Sequence, residues 1–342
     1  MAEEGVLMEI VSRPHGRNLV KWAADKPDVL VLSADLTGSC EADGFRDAYP
    51  RRFISCGIAE QNMLSVAGGL CREGFIPLVH TFAVFICRRA FDQVAMSVAY
   101  PNLPVKMFGF LPGITTPGGA THQAIDDVTL MRSLPNMTVL ETGDATEVES
   151  VLDLAYSIDG PVYVRMLRGD VPRLFPTDEP IRADHPRILS LGDEVTVFSS
   201  GICTEEVLRA SAVLKARGVS ITHVHISTLK PFASGLIDQA IRAGSRGIVT
   251  VENHLVDGGL GTAVASRCAS TGVGRPLVRL GLQDTWSHGA GRAALMREHG
   301  FDAMALVNAV QDLIGANLSI SLADLGAVRV EPVHSVAKAE AL

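Results

Sequence analysis

The sequence lacks the features that would take a protein into a membrane or onto a nucleic acid. No apolar run reaches the length of a membrane span, because the segment 75–86 is interrupted by Pro77, His80 and Thr81. Positive charges form no block along the chain, and the formal net charge is −8. We therefore expect neither a membrane nor a nucleic acid among its partners.

Closely spaced cysteines are missing as well. The six cysteines stand at positions 40, 56, 71, 87, 203 and 268, without CxxC or CxxH spacing. This pattern indicates free thiols in a cytosolic protein rather than a cysteine metal site. Residues 1–5 are acidic and have no apolar core, so the sequence predicts no secretory signal and a cytoplasmic location.

The sequence does contain a regular alternation of short β-rich runs and helical periods. Strands are predicted at 29–32, 75–80, 105–110, 137–140 and 162–166, and helices at 61–73, 90–100, 123–133 and 145–157. Asp144 is expected to cap the last of these helices. Strands separated by helices form βαβ units, so the pattern predicts an α/β fold with mostly parallel sheets.

A proline-rich segment without hydrophobic period divides the chain into two such units. The length of 342 residues also favours more than one domain. We predict domains at 1–170 and 193–318, joined by a linker at 171–192. A peripheral tail is predicted at 319–342, and its last residues are expected to be disordered.

One carboxylate stands out in the run Cys56-Gly57-Ile58-Ala59-Glu60-Gln61-Asn62-Met63. Glu60 comes directly before an apolar, glycine-rich segment, 64–70, that is typical of a buried helix. An acid in the first turn of a helix is ordinary, since it stabilises the helix by a few tenths of a kcal/mol. Position alone therefore leaves two interpretations of Glu60, a helix-terminal charge and a functional group.

Other motifs accompany Glu60 in a fixed order. They are Thr81-Phe82-Ala83-Val84-Phe85, Gly119-Ala120-Thr121-His122-Gln123, and the segments 160–169, 228–232 and 251–261. Together they resemble the pyrimidine-binding and C-terminal domains of transketolase-type enzymes, over about residues 13 to 313. The resemblance implies two doubly wound, mostly parallel-sheet domains and thiamine diphosphate as cofactor.

The sequence lacks a motif that full-length transketolases carry. Their N-terminal domain holds the diphosphate through Mg²⁺ with a Gly-Asp-Gly motif and a downstream Asn, whereas Asp43-Gly44-Phe45 has no such partner here. The chain thus resembles the C-terminal subunit of a split transketolase. We expect it to be inactive alone and to form an α₂β₂ assembly with an N-terminal subunit that supplies the Mg²⁺ ligands.

The resemblance implies catalytic roles for Glu60 and His122. A carboxylic acid on the pyrimidine nitrogen favours the imino tautomer that accepts the thiazolium proton, and Ile58, Ala59 and Leu64 supply an apolar setting. A loop histidine suits proton transfer to and from sugar hydroxyls. A purely structural loop histidine is the alternative for His122.

Four further residues are expected around the cofactor. The resemblance assigns Phe85 as the ring that stacks on the aminopyrimidine and Phe82 as its support, although two core phenylalanines are the alternative. Asp35 resembles an aspartate near the cofactor and the subunit interface, with a turn-forming residue as the alternative. Ile58 completes the set of cofactor contacts.

Three residues match positions that hold the substrate phosphate in transketolases, namely Arg13, Ser39 and Arg168, and His122 is also expected to contact substrate. The planar donor fork of arginine suits phosphate. Arg168 is the stronger candidate, because Arg13 lies in a segment of weaker similarity and equally fits a surface arginine.

Two departures from the family concern the substrate. Gly118 stands where the family has an aspartate that contacts a sugar hydroxyl, and Phe108-Gly109-Phe110-Leu111-Pro112 stands where a phosphate-binding histidine is usual. These changes predict an unusual sugar-like substrate, branched, ketonic or less polar, such as apulose 4-phosphate. Gly118→Asp is then expected to improve turnover of ribose 5-phosphate.

The leading hypothesis is transfer of a two-carbon ketol unit between sugar phosphates or sugar-like substrates. One rival keeps the cofactor, as a 2-oxo-acid dehydrogenase beta-type subunit or a deoxyxylulose-phosphate-synthase-like half. Arg165 and Arg168 resemble the synthase, whereas the Ala-Thr-His-Gln motif favours transketolase over the dehydrogenase. A second rival is a non-catalytic structural or regulatory partner subunit, against which intact Glu60, Phe85 and His122 argue.

Overall fold

The computed structural model describes residues 8–183 and 185–336. Residues 337–342, which include the end of the chain predicted to be disordered, lie outside the described residues. Within the described part, no helix is long and apolar enough to cross a bilayer.

The elements follow the predicted alternation. The strands are β1 (Ile10–Ser12), β2 (Val29–Ser33), β3 (Phe53–Ser55), β4 (Ile76–Phe82), β5 (Lys106–Phe110), β6 (Thr138–Glu141), β7 (Val162–Met166), β8 (Asp170–Pro172), β9 (Arg187–Ser190), β10 (Val195–Ser199), β11 (Ile221–His225), β12 (Thr228–Lys230), β13 (Gly247–Leu255) and β14 (Leu277–Leu282). The helices are α1 (Pro14–Trp22), α2 (Asp43–Ala48), α3 (Glu60–Arg72), α4 (Phe91–Gln93), α5 (Asp127–Ser133), α6 (Ala145–Ser157), α7 (Cys203–Ala216), α8 (Gly235–Ala243), α9 (Leu260–Thr271), α10 (Arg292–Glu298), α11 (Ala303–Ile314) and α12 (Leu322–Ala327). Two π-helical turns, Phe85–Arg89 and Val94–Ala99, flank α4.

Six strands from the first half of the chain, together with β12, build a seven-stranded sheet in the order β12-β6-β7-β5-β4-β2-β3. All neighbours in it run parallel except β12, which is antiparallel to β6. Strands β2, β5 and β7 are buried along their whole length, as strands of a parallel sheet covered on both faces are. The α/β prediction with mostly parallel sheets is confirmed for this unit.

The second half builds a five-stranded sheet in the order β14-β13-β10-β11-β9, parallel except for the β11–β9 pair. Strand β9 comes from the segment predicted as a linker, and β8 from the same segment pairs with β1. The second unit also contributes a strand to the first sheet, since β12 follows β11 in the chain but pairs with β6. The two units are therefore interlocked through their edge strands.

A buried polar network also ties the two units together. The predicted cap is confirmed, because the Asp144 side chain accepts a hydrogen bond from the Glu147 N–H at 2.8 Å. The Glu147 carboxylate lies 3.0 Å from His225 Nε2 on β11 and accepts a bond from Ser227 at 2.6 Å. Arg187 donates to the same carboxylate at 3.2 Å. Buried carboxylates are tolerated when they are paired in this way.

The parallel arrangement places several loops at one edge of the first sheet. Strands β2, β4, β5 and β7 all end there, and ligands of α/β proteins gather at the carboxyl ends of strands. The residues that follow or close these strands include Asp35, Phe82, Leu111 and Arg168. This edge therefore holds most of the candidates chosen from the sequence.

Candidate active site

Glu60 is the first residue of α3, and its side chain is 1% exposed. One carboxylate oxygen, Oε2, accepts a hydrogen bond from Arg89 Nη1 at 2.7 Å. The other oxygen, Oε1, makes no hydrogen bond within residues 8–183 and 185–336. A carboxyl group with one anchored and one uncommitted oxygen can receive a polar group of a ligand.

Three aromatic side chains from the sequence motifs meet beside this helix start. The rings of Phe82 and Phe85 are stacked, with centroids 5.9 Å apart and planes at 23°. His122 lies edge-on to both, at 5.6 Å from Phe85 and 6.2 Å from Phe82. Its Nδ1 is 2.9 Å from the Thr121 hydroxyl, which orients the ring. The structure thus brings Phe82, Phe85 and His122 together.

Arg89 connects Glu60 to this aromatic cluster, and sequence reasoning missed it. Its guanidinium carbon is 4.2 Å from the centroid of the Phe85 ring while it holds Glu60. A cation over an aromatic face is attractive. The sequence offered a signal only for the contact with Phe85, because residues four apart on a helical turn face each other. Nothing in the spacing indicated the contact with Glu60.

The neighbouring Arg88 contacts the second domain. Its Nε is 3.0 Å from both carboxylate oxygens of Asp126, and its guanidinium carbon is 4.8 Å from the centroid of the Trp286 ring. Gln123 also reaches across, donating from Nε2 to the His288 carbonyl at 3.2 Å. The helix predicted from residue 123 begins only at Asp127, because the carbonyls of Ala124 and Ile125 accept hydrogen bonds from Gly113 N and Leu255 N, both at 2.9 Å, instead of bonding within a helix.

A buried histidine pair lies behind the site. His15 Nε2 and His80 Nε2 are 2.9 Å apart, and burial lowers the pKa of His80 to about 4. Both rings pack against Phe108 and Phe110, which are fully buried in β5. Phe108 and Phe110 therefore belong to the core, so neither ring supports the prediction of a less polar substrate. Leu111 of this segment is half-buried and lines a cavity.

The three phosphate candidates form a second group. Arg168 Nη1 donates to the Ser39 carbonyl at 2.8 Å, and the Arg13 N–H donates to the Gly169 carbonyl at 2.7 Å. The Arg13 side chain pairs with Asp43, whereas the Arg168 side chain is exposed. Among the described residues, no hydrogen bond joins this group to the cluster around Phe85.

Asp35 and Ile58 lie on neighbouring surface loops. Asp35 is exposed, with a φ of 60° that suits a turn, and Ile58 is 73% exposed directly before α3. The loops start side by side, because Cys56 N donates to the Ser33 carbonyl at 2.9 Å. Within residues 8–183 and 185–336, the Asp35 carboxylate makes no hydrogen bond. Both side chains are available to a neighbouring chain or ligand.

Gly118 is in close contact with His122. A Cβ atom at position 118 would lie 3.0 Å from His122 Cβ and 3.1 Å from Cγ. Any side chain there must displace the histidine by a few tenths of an ångström. Gly118 therefore leaves the space that His122 occupies.

We expect Gly118→Ala to lower kcat/KM by up to about tenfold, because a 1 Å misplacement near reacting groups can cost roughly 100-fold. Gly118→Asp carries the same steric cost and adds the carboxylate. The comparison of these two variants with ribose 5-phosphate as acceptor isolates the effect of the carboxylate. If Asp is no better than Ala, the substrate hypothesis drawn from Gly118 is wrong.

Two family models match the chain. They are the transketolase pyrimidine binding domain over residues 15–173 and the transketolase C-terminal domain over residues 184–306. The 6-deoxy-6-sulfo-D-fructose transketolase subunit of Clostridium sp. (strain MSTE9) is 35% identical, over 86% of this chain and 91% of that protein. The chain belongs to the transketolase family. The resemblance recognised in the sequence motifs is confirmed for both domains.

Further relatives indicate which part of a transketolase the chain corresponds to. A solved structure described as a split-gene transketolase in an inactive β4 tetramer superposes with a TM-score of 0.80 and 38% identity. The match covers 97% of the chain in that structure and 88% of this chain. The 1-deoxy-D-xylulose-5-phosphate synthase of Chlorobium luteolum is 32% identical, but the match spans only 47% of that enzyme. The chain thus corresponds in extent to the C-terminal subunits of split transketolases.

Proposed function

We propose that the chain is the subunit of a thiamine-diphosphate-dependent transketolase that binds the cofactor's pyrimidine and transfers a two-carbon ketol unit. The observation that carries the proposal is the convergence of Glu60, Phe85 and His122 at one edge of the sheet. A structural or regulatory subunit has no need for a buried carboxylate beside a stacked aromatic pair. The convergence therefore disfavours the non-catalytic alternative.

The described residues fit an aminopyrimidine. Glu60 Oε1 is uncommitted, so it can bond to a ring nitrogen, while Arg89 fixes the other oxygen at 2.7 Å. Phe85, backed by Phe82, offers an aromatic surface for a flat heterocycle. When bound, thiamine diphosphate would supply the nucleophilic carbon that ketol transfer requires. Glu60 would hold a proton at the pyrimidine nitrogen and so favour the reactive tautomer of the ring.

The substrate end of the site uses the other candidates. His122 is half-buried next to Phe85, where its ring can exchange a proton with a sugar hydroxyl. Arg168, with Ser39 and Arg13 nearby, would hold a terminal phosphate. The sugar itself is proposed to be a sugar phosphate or a related sugar-like molecule, with apulose 4-phosphate as one example.

An N-terminal partner is proposed to complete the site. It would supply the diphosphate and Mg²⁺ ligands, in an α₂β₂ assembly. The relative whose β4 tetramer is described as inactive supports this view, because an assembly of only that chain lacks activity. The exposed Ile58 and Asp35 loops beside Glu60 offer a surface on which such a partner could meet the cofactor.

The synthase-like alternative keeps the cofactor but changes the substrates. Its relative is 32% identical, which keeps it a second candidate. Arg165, one of its two sequence signals, is 1% exposed and engaged by Asp127 and Glu141. A fully paired core arginine is not available to substrate. The support from the sequence is therefore reduced to Arg168.

Reconstitution tests the proposal. The chain is co-purified with the product of the neighbouring reading frame and assayed with thiamine diphosphate and Mg²⁺, using ketose phosphate donors and aldose acceptors. We expect ketol transfer only when both chains and the cofactor are present. Turnover of pyruvate with an aldehyde acceptor instead would favour the synthase, and full activity of this chain alone would contradict the proposed partner.

A further inference from the structure

We propose that Arg292, from the second domain, acts with Arg168 to bind the terminal oxyanion of the substrate, a phosphate ester or a sulfonate. The inference rests on the proposed function and adds a specificity-determining residue to it. Arg292 lies outside every motif that the sequence analysis used. Only the packing of the two domains brings it to the site.

The two arginines line one cavity of about 280 Å³. Its wall includes Leu111, which directly follows β5, and Met166, the last residue of β7. Ile202, shortly after β10 of the second sheet, closes the opposite side. The carboxyl ends of strands from both sheets therefore meet at this cavity, the location where α/β proteins bind ligands.

The charges in the cavity favour an anion. The charged residues that line the cavity are Arg168, Arg292 and Asp170, so the lining carries a net positive charge. The Arg292 side chain is 48% exposed, and its nearest carboxylate among the described residues, Glu205, is 4.0 Å away. It makes no hydrogen bond within residues 8–183 and 185–336. Its donor fork is thus available, and such forks match tetrahedral oxyanions.

The cavity is also linked to the catalytic loop. Leu111 and Thr115 in its wall belong to the loop that carries His122. The two ends of this loop are joined, because Gly113 N donates to the Ala124 carbonyl at 2.9 Å. An oxyanion held in the cavity would therefore lie beside the loop that carries His122. The apolar Leu111, Met166 and Ile202 suit the carbon chain between the reacting end and the charged end of a substrate.

The test is Arg292→Gln in the reconstituted two-chain enzyme, with Arg297→Gln as the matched control. Arg297 lies on the same helix α10, is 68% exposed and does not line this cavity. We expect Arg292→Gln to raise KM for a phosphorylated acceptor about tenfold with little change in kcat. The KM for the same sugar without phosphate should stay within about twofold. Equal KM values for the phosphorylated acceptor in the two variants would overturn the proposal.

A second readout needs no turnover. The Kd of the complex for inorganic phosphate is measured by calorimetry, and we expect it to weaken in Arg168→Gln and Arg292→Gln but not in Arg297→Gln. Unchanged phosphate binding in Arg292→Gln overturns the inference. Loss of phosphate binding in a complex that shows no ketol transfer supports it and contradicts the proposed function instead.

The pH dependence separates the two kinds of oxyanion. A phosphate ester takes up a proton near pH 6, so its affinity should fall below that pH. A sulfonated sugar keeps its charge, and its KM should stay level over the same range. Below pH 6 we expect KM to rise for the phosphorylated acceptor alone. The rise should be smaller in Arg292→Gln than in the wild type, because only Arg168 then attracts the phosphate charge; an equal rise in both would overturn the role of Arg292.

Discussion

Glu60→Gln is expected to reduce kcat of the reconstituted enzyme by at least about 100-fold, the range over which a positioned proton-transfer group acts. The amide preserves the size of the side chain and an oxygen for Arg89, which now holds Glu60 at 2.7 Å. It cannot hold the pyrimidine proton as a carboxyl group does. The measurement is steady-state ketol transfer at saturating thiamine diphosphate.

The control for this variant is Glu73→Gln, an exposed residue that directly follows the same helix. It should leave kcat within about twofold. Thermal unfolding and the mass of the complex should be unchanged in both variants, which separates loss of chemistry from loss of assembly. Wild-type turnover in Glu60→Gln would contradict both the role of Glu60 and the proposed function.

Arg165→Met is expected to destabilise the chain by about 3–5 kcal/mol, the cost of removing one partner from a buried ion pair. The Arg165 guanidinium donates to Asp127 at 2.8 Å and to Glu141 at 2.6 Å. It also donates to the Asn253 carbonyl of the second domain at 2.9 Å. Without it, two carboxylates remain in the core, and burial already raises the pKa of Glu141.

Chemical denaturation followed by circular dichroism measures this effect. The exposed Arg246 provides the control, since Arg246→Met should change the free energy of unfolding by less than about 0.5 kcal/mol. Combining Arg165→Met with Asp127→Asn and Glu141→Gln should recover part of the loss, because the unpaired charges are gone. If Arg165→Met alone unfolds like the wild type, the buried cluster is not a major source of stability.

Much of the fold follows from local pattern. The continuous apolar run 29–32 and the helix at 145–157 are found close to where they were predicted. The Asp144 cap is confirmed for the same reason, since a cap depends on residues a few positions apart. Glu60 begins its helix as the motif indicated. The family, too, is recognisable from short motifs in a fixed order.

The sequence by itself thus determined the α/β class, the family and the candidates Glu60, Phe85 and His122, because each depends on neighbours along the chain. The tertiary structure alone decided which residues meet. It paired Arg89 with Glu60, buried Phe110 against the histidine pair, and brought Arg292 to the cavity of Arg168. These contacts join positions far apart in the sequence, so no local period or spacing records them, and they depend on how the two sheets pack.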